Sequence, residues 1–187
     1  EKVSFKNYML VTVHRAENVD NPRVLRSFVE VFIKAPLPVV FPVHPRTAKN
    51  LRRFNLMKKL QGSNNVLLLP PVGYFDFLLL MKCCTLIVTD SGGLQEEATV
   101  PEIRKPVLVL RLSTERPEAV EAGFAKVVGV EKRRVLKAIH DVVEKPPKLP
   151  EYSPFGDGFA ARRVVDIVAD FLEKSKMDTK STFKISS

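Results

Sequence analysis

Short runs of apolar, β-branched residues alternate along this chain with longer stretches whose apolar positions recur every three or four residues. Residues 8–13 form one compact apolar run, and from Pro22 onward Val24, Leu25, Phe28, Val29 and Phe32 have helical spacing. Residues 39–43 predict a second strand, followed by one continuous basic helix with Leu51, Phe54, Met57 and Leu60 on a single face. A third strand is expected at 66–69, an apolar helix at 74–84 and a fourth strand at 86–89. Another helix opens near Leu94, a fifth strand covers 107–110 and a sixth covers 125–128. Residues 131–144 return to helical spacing through Val135, Ile139 and Val142. Short, continuously apolar strands separated by helices are what a parallel sheet covered on both faces requires. The expected class is therefore α/β, a doubly wound parallel sheet with ligands at the carboxyl ends of its strands. Pro146, Pro147 and Pro150 set apart a closing helix expected over 158–176, with Val164, Val165, Val168, Phe171 and Leu172 as its apolar residues. The polar end, 177–187, is expected to be a disordered tail.

Composition narrows the function. The chain has 187 residues, 45% hydrophobic and 27% charged, a balance that argues for a globular domain and against disorder. No apolar run approaches the roughly 20 residues of a membrane span, and the first residues lack a signal layout, so a cytoplasmic protein is expected. Cys83 and Cys84 are adjacent in an apolar stretch, which suits reduced core thiols better than a bridge or a metal site. The net charge of +9 invites a nucleic-acid reading. However, the densest basic stretch, from Arg46 to Lys59, has no interleaved aromatics and no zinc spacing. A solvated helix face, or an edge facing phosphates, fits it better.

Three segments carry candidate chemistry. In the first, Val88-Thr89-Asp90-Ser91-Gly92-Gly93-Leu94-Gln95-Glu96-Glu97-Ala98, a strand runs into a small-residue turn that starts a helix. Two glycines admit a ligand close to the backbone, and the open N–H groups of a first helical turn attract a diphosphate. Ser91 adds a hydroxyl, and Glu97 lies about one turn further in, where it could accept ribose hydroxyls. The same string also serves a plain Ser-capped helix after a tight turn. The second segment, Thr12-Val13-His14-Arg15-Ala16-Glu17-Asn18, puts a His beside an Arg at a strand end, able to hold or protonate a leaving phosphate. The next strand also ends in a His, His44. The third segment, Leu112 to Ala119, brings Arg116 to a helix start set by Pro117. Phe155-Gly156-Asp157-Gly158 reads as a turn in which Asp157 caps the closing helix.

Taken together, VTVHRAEN, FPVHPRT, VTDSGGLQEEA, KPVLVLRLSTERPEAVEAG and SPFGDGFAARRV, in this order, resemble the non-hydrolysing UDP-N-acetylglucosamine 2-epimerases. The likeness covers residues 8–172 and the second half of that family alone. It implies a Rossmann-like, UDP-binding domain over residues 1–176, one half of a glycosyltransferase B-type architecture whose N-terminal partner domain is absent from this chain. The implied reaction interconverts UDP-N-acetylglucosamine and UDP-N-acetylmannosamine by elimination and re-addition of UDP. By resemblance His14 is the catalytic histidine, and Ser91, Gly92 and Gly93 form the diphosphate turn. Glu97 is the ribose carboxylate, Arg116 stands beside the phosphates, and Phe77 lies near the uracil. Arg15 and His44 match positions that contact a second, activating UDP-N-acetylglucosamine in regulated members. The resemblance implies no cofactor, no metal, no nucleic-acid partner and a homodimer at full length. Two departures stand out: Val72 replaces a frequent Gln, and residues 99–104 lengthen a connection before Lys105-Pro106.

Two other readings compete: the same half of a hydrolysing epimerase or UDP-sugar glycosyltransferase, and a non-catalytic UDP-sugar-binding module. The family's carboxylates for proton transfer at C2 belong to its first domain, so this chain alone is expected to bind nucleotide without epimerising. Glu17 and Glu96 are more simply loop and helix-face carboxylates.

Overall fold

The strands β1 (Met9–Thr12), β2 (Val39–Pro42), β3 (Val66–Leu69), β4 (Leu86–Thr89), β5 (Val107–Val109) and β6 (Ala125–Val127) form one parallel sheet. The structure is a computed structural model that describes residues 7–182, with side chains to residue 174. The strand order β3-β2-β1-β4-β5-β6 reverses direction between β1 and β4. That is the topological switch point, where neighbouring crossovers leave on opposite faces and open a crevice at the strands' carboxyl ends.

The sequence explains why both faces are covered. Along β1 and its flanks, Met9, Val11 and Val13 enter one core while Tyr8 and Leu10 enter the other. The same alternation holds for Leu86 and Val88 against Ile87 on β4, and for Leu108 and Leu110 against Val107 and Val109 near β5. Successive strand side chains point to opposite faces, so a run apolar at every position needs two cores. The larger core takes Leu25, Phe28 and Phe32 from α2 (Pro22–Lys34), and Val135 and Ile139 from α8 (Lys132–Glu144). The smaller takes Met81 from α5 (Tyr74–Cys83) and Ala119 from α7 (Pro117–Glu121).

The basic helix departs from expectation. It is two helices, α3 (Pro45–Arg53) and α4 (Met57–Gln61). Asn55 takes φ 59 between them, Leu56 N–H donates to Leu51 C=O at 2.8 Å and Asn55 N–H to Arg52 C=O at 3.1 Å. This pattern closes a helix with a left-handed residue, and Asn tolerates that conformation better than other side chains with a Cβ. Leu51 and Leu60 still reach the same core, because the turn re-aims the second helix instead of releasing it. A one-turn helix, α1 (Ala16–Val19), also follows β1 where the sequence pattern gave no sign of one.

The chain divides into two compact units, 1–154 and 155–187. The second contains α9 (Ala160–Thr182), which runs on past the expected end at 176 because neither Gly nor Pro interrupts it. Of the tail expected over 177–187, residues 183–187 lie outside the described residues. Asp157 accepts from Phe159 N–H at 3.1 Å and pairs with Arg163, which holds its carboxyl at about 2. Among the described residues no helix is long and apolar enough to cross a membrane.

Candidate active site at the strand ends

β1 and β4 are in register through Leu10↔Ile87, Val11↔Val88 and Thr12↔Thr89. The two threonine hydroxyls meet at 2.7 Å, so the strands end level and the loops after them leave side by side. One loop begins with Val13 and His14, the other with Asp90 and Ser91.

Asp90 joins the two. Its carboxylate is fully buried and accepts from the His14 backbone N–H at 3.1 Å and from Arg15 N–H at 3.0 Å. The Asn18 side-chain amide donates to it at 2.9 Å and to the Leu110 carbonyl at 3.0 Å. His14 Nδ1 lies 3.4 Å from Asp90 Oδ1, with 35% of the His14 side chain exposed. The His44 ring stands 5.5 Å from the His14 ring, centre to centre. His44 also caps α3, its Nδ1 accepting from Arg46 N–H at 3.2 Å. Both strand-end histidines therefore reach one rim, and Thr47 secures the second loop to the first by donating its hydroxyl to the Val13 carbonyl.

The glycine turn opens α6 (Gly92–Glu97). Ser91 occupies the cap position but makes no side-chain capping bond, so the plain Ser-capped reading fails and its hydroxyl is not used by the helix. Neither Gly92 nor Gly93 is among the positive-φ residues, unlike Gly123 at φ 84 and Gly129 at φ 74. A Cβ on Gly93 would meet no protein atom within 4 Å, and one on Gly92 would make ordinary contacts, 3.7 Å to Glu115 Oε2 and 3.8 Å to Arg15 Nη2. Neither backbone conformation nor internal packing calls for glycine at these two positions. Behind the turn, buried Gln95 donates to the Ser91 carbonyl at 3.0 Å and accepts from Thr114 Oγ1 at 2.6 Å. Thr114 Oγ1 in turn accepts from Arg116 N–H at 3.0 Å. This relay ties the glycine turn to the loop that carries Arg116.

The cations of the rim are paired with one another's neighbours. Arg116 pairs through Nε with Glu96 and donates from Nη1 to the Glu115 carbonyl at 2.9 Å. Glu115 takes Arg111 at 3.0 Å and Arg15 at 3.3 Å. Those guanidiniums, Arg111 foremost, hold its carboxyl below the usual range. Glu97 behaves oppositely: burial, then Glu96 beside it, pushes its carboxyl up. Glu97 lines a largely apolar pocket of about 400 Å³ with Tyr74, Phe75, Leu78 and Leu79, and Val100, Glu102 and Ile103 of the 99–104 connection line it too. Phe77 is half-buried against the smaller core, and Val72 packs there too. Sequence reasoning gave no role to Asp90, Asn18, Gln95 or Glu115. Asp90 had the best available signal, a carboxylate at the last position before the glycine turn. Among the described residues, no group of three or more His, Cys, Asp and Glu side chains is placed to hold a metal ion.

Comparison with known proteins gives this geometry its relatives. A UDP-N-acetylglucosamine 2-epimerase from Methanocaldococcus jannaschii is 43% identical over 169 residues, covering 87% of this chain and 44% of its own length. The crystal structure of a UDP-GlcNAc 2-epimerase from the same organism, in complex with UDP-GlcNAc and UDP, superposes with a TM-score of 0.80. It has 41% identity, covering 88% of this chain and 45% of that one. A Neisseria meningitidis UDP-GlcNAc 2-epimerase bound to UDP-GlcNAc follows with a TM-score of 0.74 and 35% identity, at 88% and 45% coverage. The chain thus spans about half the length of the curated relatives it matches. The model of the UDP-N-acetylglucosamine 2-epimerase family matches residues 1–169, and the chain belongs to that family.

Proposed function

We propose that the whole protein is a UDP-N-acetylglucosamine 2-epimerase and that this chain is its UDP-holding half, one side of a glycosyltransferase B-type pair of domains. The observation that carries the reading is the Gly92-Gly93 pair, which the protein's own backbone and packing do not require. Glycine at the first two positions of α6, where neither a positive φ nor a close protein neighbour calls for it, asks for a reason outside the fold. A diphosphate lying against the Ser91–Gly93 amides supplies one, since a Cβ would keep it away from the N–H groups. Relatives crystallised with UDP-GlcNAc support the choice of ligand.

In this reading Ser91, Gly92 and Gly93 bind the two phosphates and Arg116 turns from Glu96 toward them. Glu97 accepts the ribose hydroxyls, and the base lies along α5 near Phe77. The C2 proton is removed by a carboxylate of the other domain as the C1–O bond breaks, and the bonding pair leaves with the diphosphate oxygen. His14 gives a proton to that oxygen and recovers it when UDP re-adds to C1 on the face it left, while a proton returns to C2 on the opposite face. Two faces of C2 need two groups in reach, and His14 on the phosphate side is neither. The fragment alone therefore binds UDP but does not epimerise. Arg15 and His44 form the effector side of the same rim, and the complete protein is a cytoplasmic homodimer.

Calorimetric titration of the chain with UDP, with and without chelator, tests the binding half. Binding that disappears with chelator would count against a site built from amides and arginine. Incubating the complete polypeptide with UDP-N-acetylglucosamine tests the chemistry. UDP-N-acetylmannosamine is the expected product, and free N-acetylmannosamine with UDP would turn the assignment to a hydrolysing enzyme.

A further inference from the structure

We propose that Asp90 is a positioning residue that fixes the tautomer of His14, keeping the imidazole proton on Nδ1 and presenting Nε2 to the ligand cleft. The inference rests on the reading of His14 as the group that exchanges a proton with the leaving diphosphate, and it extends the site to a residue without contact to that ligand.

A neutral imidazole carries one N–H, and which nitrogen holds it depends on what the other side of the ring meets. Here Nδ1 faces Oδ1 of a carboxylate at 3.4 Å. An ionised carboxylate only accepts, so the favoured arrangement puts the hydrogen on Nδ1 and leaves the Nε2 lone pair unshared. The carboxylate cannot turn away. Oδ2 is held by Arg15 N–H at 3.0 Å and the Asn18 amide at 2.9 Å, while His14 N–H at 3.1 Å lies between both oxygens. Asn18 is itself fixed, with only 2% exposure and a second bond to the Leu110 carbonyl at 3.0 Å. The bonds to backbone and Asn18 explain why a carboxylate can be buried there, and most of them fall on Oδ2. Oδ1 is thereby left for the ring. When Nε2 carries a second proton, the same carboxylate offsets the imidazolium charge. When that proton passes to the diphosphate oxygen, the ring returns to the neutral Nδ1–H form. No further reactant is needed.

Asp90→Asn makes a specific test. An Asn that keeps its carbonyl oxygen at the Oδ2 position, for the three donors, must turn its amide N–H₂ toward Nδ1. A donor there favours a bare Nδ1 and moves the ring hydrogen to Nε2. The experiment is nitrogen-15 NMR of the histidine side chains of the labelled chain in mildly alkaline buffer, with His14 assigned by loss of its signals in His14→Gln. Nδ1–H is expected in the wild type, Nε2–H in Asp90→Asn, and Nδ1–H again in Asn18→Ala, where Oδ1 still faces the ring. A wild-type ring with its hydrogen on Nε2 overturns the proposal, and does so even if Asp90→Asn fails to fold. One tautomer in both wild type and Asp90→Asn also overturns it, as does an Asn18→Ala ring that has moved to Nε2–H, since general loosening would then explain everything. UDP affinity separates this from the broader reading. Asp90→Asn should bind UDP within about threefold of wild type, because the carboxylate is buried beneath the loop. A wild-type chain that binds no UDP would sink the 2-epimerase reading while the tautomer result stood on its own. In the complete polypeptide, Asp90→Asn should lower kcat by about 10²–10⁴-fold with KM unchanged, the range for losing a correctly protonated acid–base group; a KM effect alone would make Asp90 merely structural.

Discussion

The two sides of the switch point hold their functional side chains by different means. At the β1/β4 junction the fixing groups Asp90, Asn18 and Thr89 are buried. Asp90 accepts from the His14 amide at 3.1 Å and from Asn18 at 2.9 Å, and Thr89 meets the half-buried Thr12 hydroxyl at 2.7 Å. Between β5 and α7 the arginines are held by carboxylates in contact with solvent, with Glu115 52% and Glu96 39% exposed. Buried, fully satisfied networks are rigid and costly to break, whereas exposed ion pairs contribute little and rearrange easily. The difference matches the work each side has in the proposed reaction. An imidazole that exchanges a proton must keep one orientation, and arginines that receive a diphosphate must be able to leave their resting partners.

Asp90→Ala should break the rigid side and cause the largest change. It strands the His14 and Arg15 amides and one Asn18 hydrogen, at about 1–3 kcal/mol for each buried donor left without a partner. A denaturant midpoint shift equivalent to at least ~3 kcal/mol is expected, whereas Glu115→Ala should cost under about 1 kcal/mol. Similar losses for both variants would erase the distinction. Next in size, Arg116→Ala should leave stability nearly untouched and weaken UDP binding by about 1.5–3 kcal/mol, the range for a charge-assisted bond. Binding within a factor of two of wild type would mean that Arg116 stays on Glu96 when UDP arrives.

Gly93→Ala sharpens the comparison further, because its two effects have opposite sign. With a helical φ and no atom within 4 Å of the added Cβ, the fold should gain about 0.5–1 kcal/mol. UDP affinity should fall about tenfold, near 1.4 kcal/mol. Calorimetry and thermal unfolding of the one variant check both, and a tighter UDP complex would remove the argument for a diphosphate at this turn. The smallest effect is expected from Glu96→Gln. Removing the resting partner of Arg116 should improve UDP affinity by roughly threefold at low salt and by less at high salt. Weaker binding would show that Glu96 orients Arg116 instead of competing for it.

Much of this was legible in the residues. Continuous apolar strands with helical stretches between them require a two-faced parallel sheet, and a sheet of that kind puts His14, His44, Ser91 and Arg116 at one set of strand ends whatever the details. Helix boundaries were legible only in part. The stop at Asn55 depends on a left-handed turn whose bonds to Leu51 and Arg52 compete closely with two more residues of helix. Ser91 reads as a cap by residue type, yet its hydroxyl makes no capping bond. Asp90 shows the limit most clearly. In sequence it is one more polar residue after a strand, 76 positions from His14. Only the parallel pairing of β1 with β4, level at Thr12 and Thr89, brings that carboxylate under the His14 amide and beside its ring. Local pattern determined which residues line the rim, because strand and helix periodicity act over a few residues. Which of them touch, and which carboxylate serves which cation, was decided by strand order and register, which depend on packing between segments far apart in the chain.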